Sequence, residues 1–256
     1  MCLILFSWQP DHQHPLVLLA NRDENYQRPS LPVHFWEEHP HILGGRDIEA
    51  GGGWLAADTQ GRLAAVTNYR EPHCPKAERS RGELVSQFLS GTLSAPDYLT
   101  MVQERSRRYA GFNLLLLDKN QLYYYSNRTE QQQHKLLKPG TYGLCNHLLD
   151  TPWPKLLNTR NHFSQLLEES ELPHQPLIQV MRDENKAPDH RLPDTGVGIE
   201  RERHLSSPFI AGNQYGTRNT SLLVFHQNSR LEWFEQHYLP EGKPGAQQSF
   251  KLEINA

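Results

Sequence analysis

At 256 residues the chain can form one large domain or two small ones. Hydrophobic residues make up 37%, and no stretch approaches the roughly 18 consecutive apolar residues of a membrane-spanning helix. The 26 Lys and Arg against 29 Asp and Glu leave a net charge of -3, so there is no basic footprint for nucleic acid, and aromatic residues are too common for a disordered chain. Cys2, Cys74 and Cys145 are an odd number set far apart, which argues against a disulfide framework, and no CxxC pair suggests zinc. The apolar start lacks a charged n-region and a small-residue cleavage site, so the expected compartment is a reducing cytoplasm.

Residues 2–8 and 16–20 are apolar β-type runs. The turn formers at 9–15 between them predict a hairpin with a longer loop. Gly44-Gly45 and Gly51-Gly52-Gly53 punctuate the next stretch, and runs at 54–57 and 63–67 flank a turn at 58–61. Leu84, Val85, Phe88 and Leu89 share one helical face that ends at Gly91. Tyr98, Leu99 and Val102 follow Pro96 in the same way. Strands at 112–117 and 122–126 surround Asp118-Lys119-Asn120. The run 114–117 is all leucine, which predicts a central strand covered on both faces. Thr151 is the expected cap of a helix with Pro152 at its first position, and Trp153, Leu156, Leu157, Phe163, Leu166 and Leu167 make its apolar stripe. Residues 184–205 are rich in charge, Pro and Gly and read as a long surface loop. Strands at 217–225, 231–237 and 250–254 close the chain. This order predicts an α+β fold with helices outside a mostly antiparallel sheet core.

Cys2 heads the candidate chemistry. Removal of Met1 is expected before so small a residue, and it would leave a thiol and a free α-amine on one residue. The amine titrates near ~7.7–8.0 and the thiol near ~8.5, so the amine can serve as base toward its own thiol. Asn21-Arg22-Asp23-Glu24 follows the second apolar run abruptly. Antiparallel pairing brings it back beside Cys2, where Asp23 could hold the ammonium and Arg22 could orient a carboxylate or substrate. Alternation places the Arg22 and Asp23 side chains on opposite sides of an extended strand. Asn68, Asn146 and Arg218 each bound a β-type run, and asparagine N–H groups can donate to an oxyanion. The 14 histidines include His12, His14, His34, His39 and His41, but HExxH and CxxCH are absent, so they read mostly as surface residues and no metal site is expected. Cys74-Pro75 after His73 has the form of a haem-responsive dipeptide and reads first as a loop. Gly51-Gly52-Gly53 lacks the Lys-Ser/Thr of a phosphate loop. Tyr123-Tyr124-Tyr125 reads as strand packing.

These residues resemble the NRDE family, named for Asn21-Arg22-Asp23-Glu24, which includes the transport and Golgi organisation protein 2 type. The matching pieces include Met1-Cys2, Arg28-Pro29, Gly44-Gly45-Arg46-Asp47, Gly52-Gly53-Trp54-Leu55 and Thr67-Asn68-Tyr69-Arg70. They continue through Ser80-Arg81-Gly82-Glu83, Phe112-Asn113, Gly143-Leu144-Cys145-Asn146, Thr151-Pro152-Trp153-Pro154-Lys155 and Tyr215-Gly216-Thr217-Arg218. They span residues 1 to about 225. A more distant likeness is to the cysteine N-terminal nucleophile (Ntn) hydrolases of the choloylglycine hydrolase and penicillin V acylase type. Cys2, Asp23, Asn68, Asn146 and Arg218 fall in the order of their catalytic residues. One departure is plain: those enzymes carry an Arg three residues before the Asp, where this chain has Ala20.

The resemblance implies a four-layer αββα Ntn-hydrolase-like sandwich with mainly antiparallel sheets, a single domain over residues 1–256. It implies an Ntn-type amidohydrolase or thioesterase with Cys2 as nucleophile, acting on an amide or thioester of a small or lipid-like substrate. The catalytic set would be Cys2, Asp23, Asn68, Asn146 and Arg218, with Arg22, Asn21 and Glu24 binding substrate and no cofactor required. The alternative is a non-catalytic protein that binds and traffics haem or acyl lipid such as acyl-CoA in the same cleft.

Overall fold

The computed structural model describes residues 2–72, 77–131, 133–169 and 171–255. The first half contains β1 (Cys2–Trp8), β2 (Leu16–Asn25), β3 (Ser30–Trp36), β4 (His39–Asp47), β5 (Leu55–Asp58) and β6 (Leu63–Asn68), then α1 (Gly82–Ser90) and α2 (Ala95–Arg105). It continues through β7 (Phe112–Asp118), β8 (Gln121–Ser126), β9 (Lys135–Leu136), β10 (Gly140–Leu144), α3 (Pro154–Leu166), α4 (His174–Val180) and α5 (Ile199–His204). The chain ends in β11 (Tyr215–His226), β12 (Arg230–Tyr238) and β13 (Pro244–Glu253). One sheet runs β10-β1-β2-β11-β12-β13, so strands from both ends of the chain share it; the other runs β3-β4-β5-β6-β7-β8-β9. Every strand pair is antiparallel.

Period-2 alternation builds three cores from these strands. Ile4, Phe6 and Trp8 of β1 meet Leu115 and Leu117 of β7 between the sheets. Leu3 and Leu5 face the other way, against Leu156 and Phe163 of α3 and Leu177 of α4. Leu114 and Leu116 face Leu84 and Phe88 of α1 and Leu99 of α2. The layers are therefore helix, sheet, sheet, helix, as the resemblance implies, and the leucine run is buried on both faces. A strand buried on both faces does not set its own register by amphipathicity. The β7–β8 turn does so here: Asp118 pairs with Gln121, and Lys119 and Asn120 both take positive φ, at 46° and 56°. Those are the dihedrals a two-residue hairpin turn needs to match strand twist.

Several expectations need correction. The second strand does not stop at residue 20 but runs through the polar tetrad to Asn25, because β1 and β11 supply backbone partners on both sides. Strands β3, β4 and β9 and helix α4 carry too little periodicity to be read from sequence. Helix α3 starts at Pro154 after Trp153, not after Thr151. The segment 184–205 is not all loop: it contains α5, whose Glu202 is buried. The Cys74-Pro75 dipeptide with His73 lies outside the described residues. No helix is long and apolar enough to cross a membrane among the described residues.

Candidate active site

Cys2 opens β1 and its backbone pairs with Arg22 of β2. Directly paired residues of antiparallel strands share a face. Ile4 and Ala20, the next pair on that face, lie in the core between the sheets. Cys2 and Arg22 therefore look into the space between the sheets, and Asp23 looks away, as alternation predicts. Here the two sheets part to form an open cleft of about 400 Å³. Cys2, Arg22, Glu24 and Asn68 line it, and Asp23 also borders it, with its carboxylate turned to Thr217. Arg28 and Asp47 line it too, with Arg79, Arg81 and Gly82 at the start of α1 opposite.

The charges in the cleft are organised by Asp47, at the end of β4 in the second sheet. Its carboxylate accepts from Arg28 Nε at 2.5 Å and Arg28 Nη2 at 3.2 Å, and lies 3.7 Å from Arg22 Nη2. It thus draws Arg22 of the first sheet and Arg28 of the turn after β2 toward the second sheet. Asp23 is 1% exposed and its Oδ1 accepts from the Thr217 hydroxyl at 2.7 Å. Burial raises the Asp23 pKa above the usual carboxylate value, and burial likewise raises the Cys2 thiol. The thiol of Cys2 is thus protonated at neutral pH, and any nucleophilic role requires a base beside it. Asn68 ends β6, and its backbone carbonyl accepts from Asn146 Nδ2 at 3.0 Å.

The remaining site expectations are not brought onto the cleft. Asn21 is fully buried on the helix side, where Nδ2 donates to the Met181 and Pro208 carbonyls at 2.8 and 3.0 Å and Oδ1 accepts from Thr220. It clamps β2 to the helical layer. Asn146 sits behind Asn68, with its buried Oδ1 lacking a hydrogen-bond partner among the described residues. Arg218 is the extra residue of a β-bulge between Thr217 and Asn219, and a bulge re-aims its side chain. Arg218 donates to the Asn25 and Arg28 carbonyls at 2.9 and 3.1 Å and stacks on Tyr26. It holds the 25–30 turn that carries Arg28. Ala20, where the hydrolases carry an arginine, is packed in the inter-sheet core.

Asp47, Arg28, Arg79 and Arg81 received no role in the sequence reading, although three of them fall within its quoted motifs. Only the folded chain makes them neighbours, and Arg79 and Arg81 are placed where the β4–β5 loop crosses the start of α1. That crossing rests on glycines: a Cβ on Gly52 would stand 2.3 Å from the Gly82 carbonyl carbon, and Gly53 N donates to Gly82 O at 3.3 Å. Gly52→Ala is expected to push the start of α1 off the β4–β5 loop and cost about 1–3 kcal/mol, the usual range for overpacking. Urea unfolding should show the lower midpoint, and iodoacetamide should alkylate Cys2 faster than in the wild type.

The segment after β6 is held by a polar chain with a fixed sense. The Thr151 hydroxyl donates to Leu148 O at 2.8 Å, so it accepts from His147 Nδ1 at 2.8 Å. His147 Nε2 then accepts from the Tyr69 hydroxyl at 2.7 Å. This pattern requires neutral His147, and burial holds its pKa below the ordinary value. The unfolded state takes up the proton first, so stability present above about pH 6.5 is lost as pH falls. His14 and His226 are shifted the same way. Unfolding free energy should therefore decline from pH 7 to pH 5, and less steeply in His147→Gln.

The family model for Transport and Golgi organisation 2 matches residues 1–240. The chain belongs to this family. The Transport and Golgi organization 2 homolog of Mus musculus is 35% identical, with 93% of this chain and 94% of that one covered. The Homo sapiens homolog is 36% identical, with 92% of each covered. The Drosophila melanogaster protein is 24% identical over 92% of each. Among solved structures, a variant of the conjugated bile acid hydrolase from Clostridium perfringens has a TM-score of 0.46 at 10% identity, covering 100% of this chain and 94% of that one. A Caenorhabditis elegans ortholog of N-acylethanolamine-hydrolyzing acid amidase has a TM-score of 0.41 at 9% identity, covering 87% and 92%.

Proposed function

We propose that the cleft is the active site of a cysteine-dependent acyl transferase or hydrolase for an amide or thioester. The observation that carries this reading is the meeting of Cys2, Asp23 and Asn68 on one cleft, in the order shared with cysteine Ntn hydrolases. After removal of Met1, the α-amine of Cys2 takes the thiol proton as sulfur attacks the carbonyl. It returns that proton to the departing amine or thiol. Asn68 donates to the oxyanion, a contribution of roughly 2.7–4 kcal/mol in comparable sites. Asp23 holds the amine in place. The test is intact-mass measurement of purified protein with amide and thioester acyl donors. A Met1-free chain with an acyl adduct on Cys2 that Cys2→Ala lacks is the expected result. A retained Met1, or no adduct with any donor, would sink the proposal.

A second reading is carriage of an anionic ligand, haem or acyl-CoA, without chemistry. The observation favouring it is the group of arginines on the cleft, Arg22, Arg28, Arg79 and Arg81, whose planar forks suit carboxylate and phosphate. Haem and acyl-CoA titrations of wild type and Cys2→Ala distinguish the two. Equal binding without turnover supports carriage, and binding weaker than micromolar by both ligands excludes it.

A further inference from the structure

Of the arginines that border the cleft, three have their guanidinium groups engaged by the protein. Arg28 donates to both carboxylate oxygens of Asp47 and lies 3.2 Å from Glu49. Arg79 is paired with Glu83 of α1. Arg81 Nη1 donates to the Gly111 carbonyl at 3.1 Å. Arg22 differs. A guanidinium carries five N–H donors and no acceptor, and none of those on Arg22 makes a hydrogen bond to a described residue. Its ion-pair partner Asp47 stands 3.7 Å away, beyond hydrogen-bond reach. That carboxylate is already occupied by Arg28 and by the Ala50 amide at 2.9 Å. The Arg22 side chain is nonetheless only 8% exposed. Burying donors without acceptors is unfavourable, and the cleft is the open side from which acceptors can come.

The strands fix where this unspent fork lies. Arg22 is the direct backbone partner of Cys2, and such pairs on one face have Cβ atoms ~4.5–5.5 Å apart. The guanidinium and the thiol therefore open side by side onto the same cleft.

We propose that Arg22 is the anion anchor of the cleft, and that the acyl donor carries a carboxylate within a few bonds of the carbonyl that Cys2 attacks. The inference rests on the reading of Cys2 as nucleophile and deepens it. A carboxylate accepts two parallel N–H donors from the fork without breaking a hydrogen bond inside the protein, while the carbonyl beside it meets the sulfur. A ligand with its charge at the far end of a long arm, as the phosphates of acyl-CoA are, cannot engage both groups at once.

The test compares iodoacetate with iodoacetamide at Cys2, read on the N-terminal peptide by mass spectrometry. With either reagent the thiolate attacks the methylene carbon, a C–S bond forms and iodide leaves. The reagents differ in the charge beside the reacting carbon, and dividing one rate by the other cancels any change in the thiol itself. The ratio in the folded wild type should exceed that in the urea-unfolded chain by about tenfold, as for a hydrogen bond to a charged group. Arg22→Gln should return the ratio to the unfolded value, and Arg22→Lys should recover part of the preference. Arg79→Gln removes a charge from the opposite wall and should keep most of it. Equal ratios in folded and unfolded wild type, or an equal fall in Arg79→Gln, overturn the proposal. The wild-type comparison needs no variant, so it decides the matter even if circular dichroism shows Arg22→Gln unfolded. Labelling without the preference removes the anchor alone. If neither reagent labels folded Cys2, the nucleophile reading falls and takes the anchor with it.

Discussion

Glu202→Ala is expected to lower the unfolding free energy by about 3–5 kcal/mol, the range for breaking a buried ion pair by removing one partner. Glu202 is 2% exposed. One carboxylate oxygen accepts from Arg70 Nη1, and the other from the Thr195 amide at 3.1 Å and the Thr195 hydroxyl. Burial pulls the Arg70 pKa down, and Glu202 opposes that pull. The Nε and Nη2 atoms of Arg70 are already buried without partners among the described residues, and its guanidinium lies 4.6 Å from the Trp153 ring centre. Without Glu202 this cation keeps its desolvation and loses its anion. Arg203, on the same helix, provides the control: it pairs with Asp189 and Glu200 at the surface, where water and salt screen such pairs. Urea unfolding of Glu202→Ala beside Arg203→Ala reads the contrast directly. Equal small losses would show that the buried pair contributes little. Hydrogen exchange adds a local readout. Arg70 N donates to the Asn146 carbonyl at 2.7 Å, and Asn146 holds Asn68, so faster exchange in α5 and at residues 68–70 is expected together.

Arg62→Met is expected to cost a similar 3–5 kcal/mol for a different reason. Asp58 is fully buried, and its carboxylate accepts from Arg62 Nε at 2.7 Å. The rest of the fork reaches the end of α1: Nη1 donates to the Phe88 and Gly91 carbonyls at 3.3 and 2.9 Å, and Nη2 to the Leu89 carbonyl at 2.7 Å. The last carbonyls of a helix have no partner within it, and α1 has no basic residue of its own in its last turn. Arg62 supplies the missing donors from the β5–β6 turn. The substitution strands a buried carboxylate and opens those carbonyls at once. Chemical denaturation should show a smaller loss for Arg62→Met in an Asp58→Asn background, because the stranded charge is then gone. Arg62→Lys should recover only part, since a point charge cannot span the same acceptors. A full recovery by lysine would contradict the capping role.

Much of the candidate site was legible because its logic is local. Cys2 and Arg22 are brought together by antiparallel pairing of two apolar runs. The opposed faces of Arg22 and Asp23 follow from the period of a strand. Asn68 was visible as the polar end of an apolar run. For Asn21 and Arg218 the same reasoning could not choose a direction, since a polar residue at a strand end can face a ligand or clamp the chain. Asn21 donates to carbonyls 160 and 187 residues away. Arg218 is redirected by a bulge that its own sequence does not announce.

The alternation of β1 and β2, the leucine run of β7 and the apolar stripes of α1 and α3 are written in the spacing of side chains. Together they determine helices packed outside antiparallel sheets. The tertiary structure alone decided which charges are buried. Lys155, Arg70, Glu202, Arg62 and Asp58 look in sequence like ordinary solvated residues. Each is held inside by partners contributed by another segment or by a turn closed around it. The free energy of a buried charge depends on those partners and on the exclusion of water, and neither exists until the sheets and helices have met. The cleft follows the same rule: Cys2 was visible from the first residues, but Arg79 and Arg81 were set opposite it by the close approach of Gly52 and Gly82.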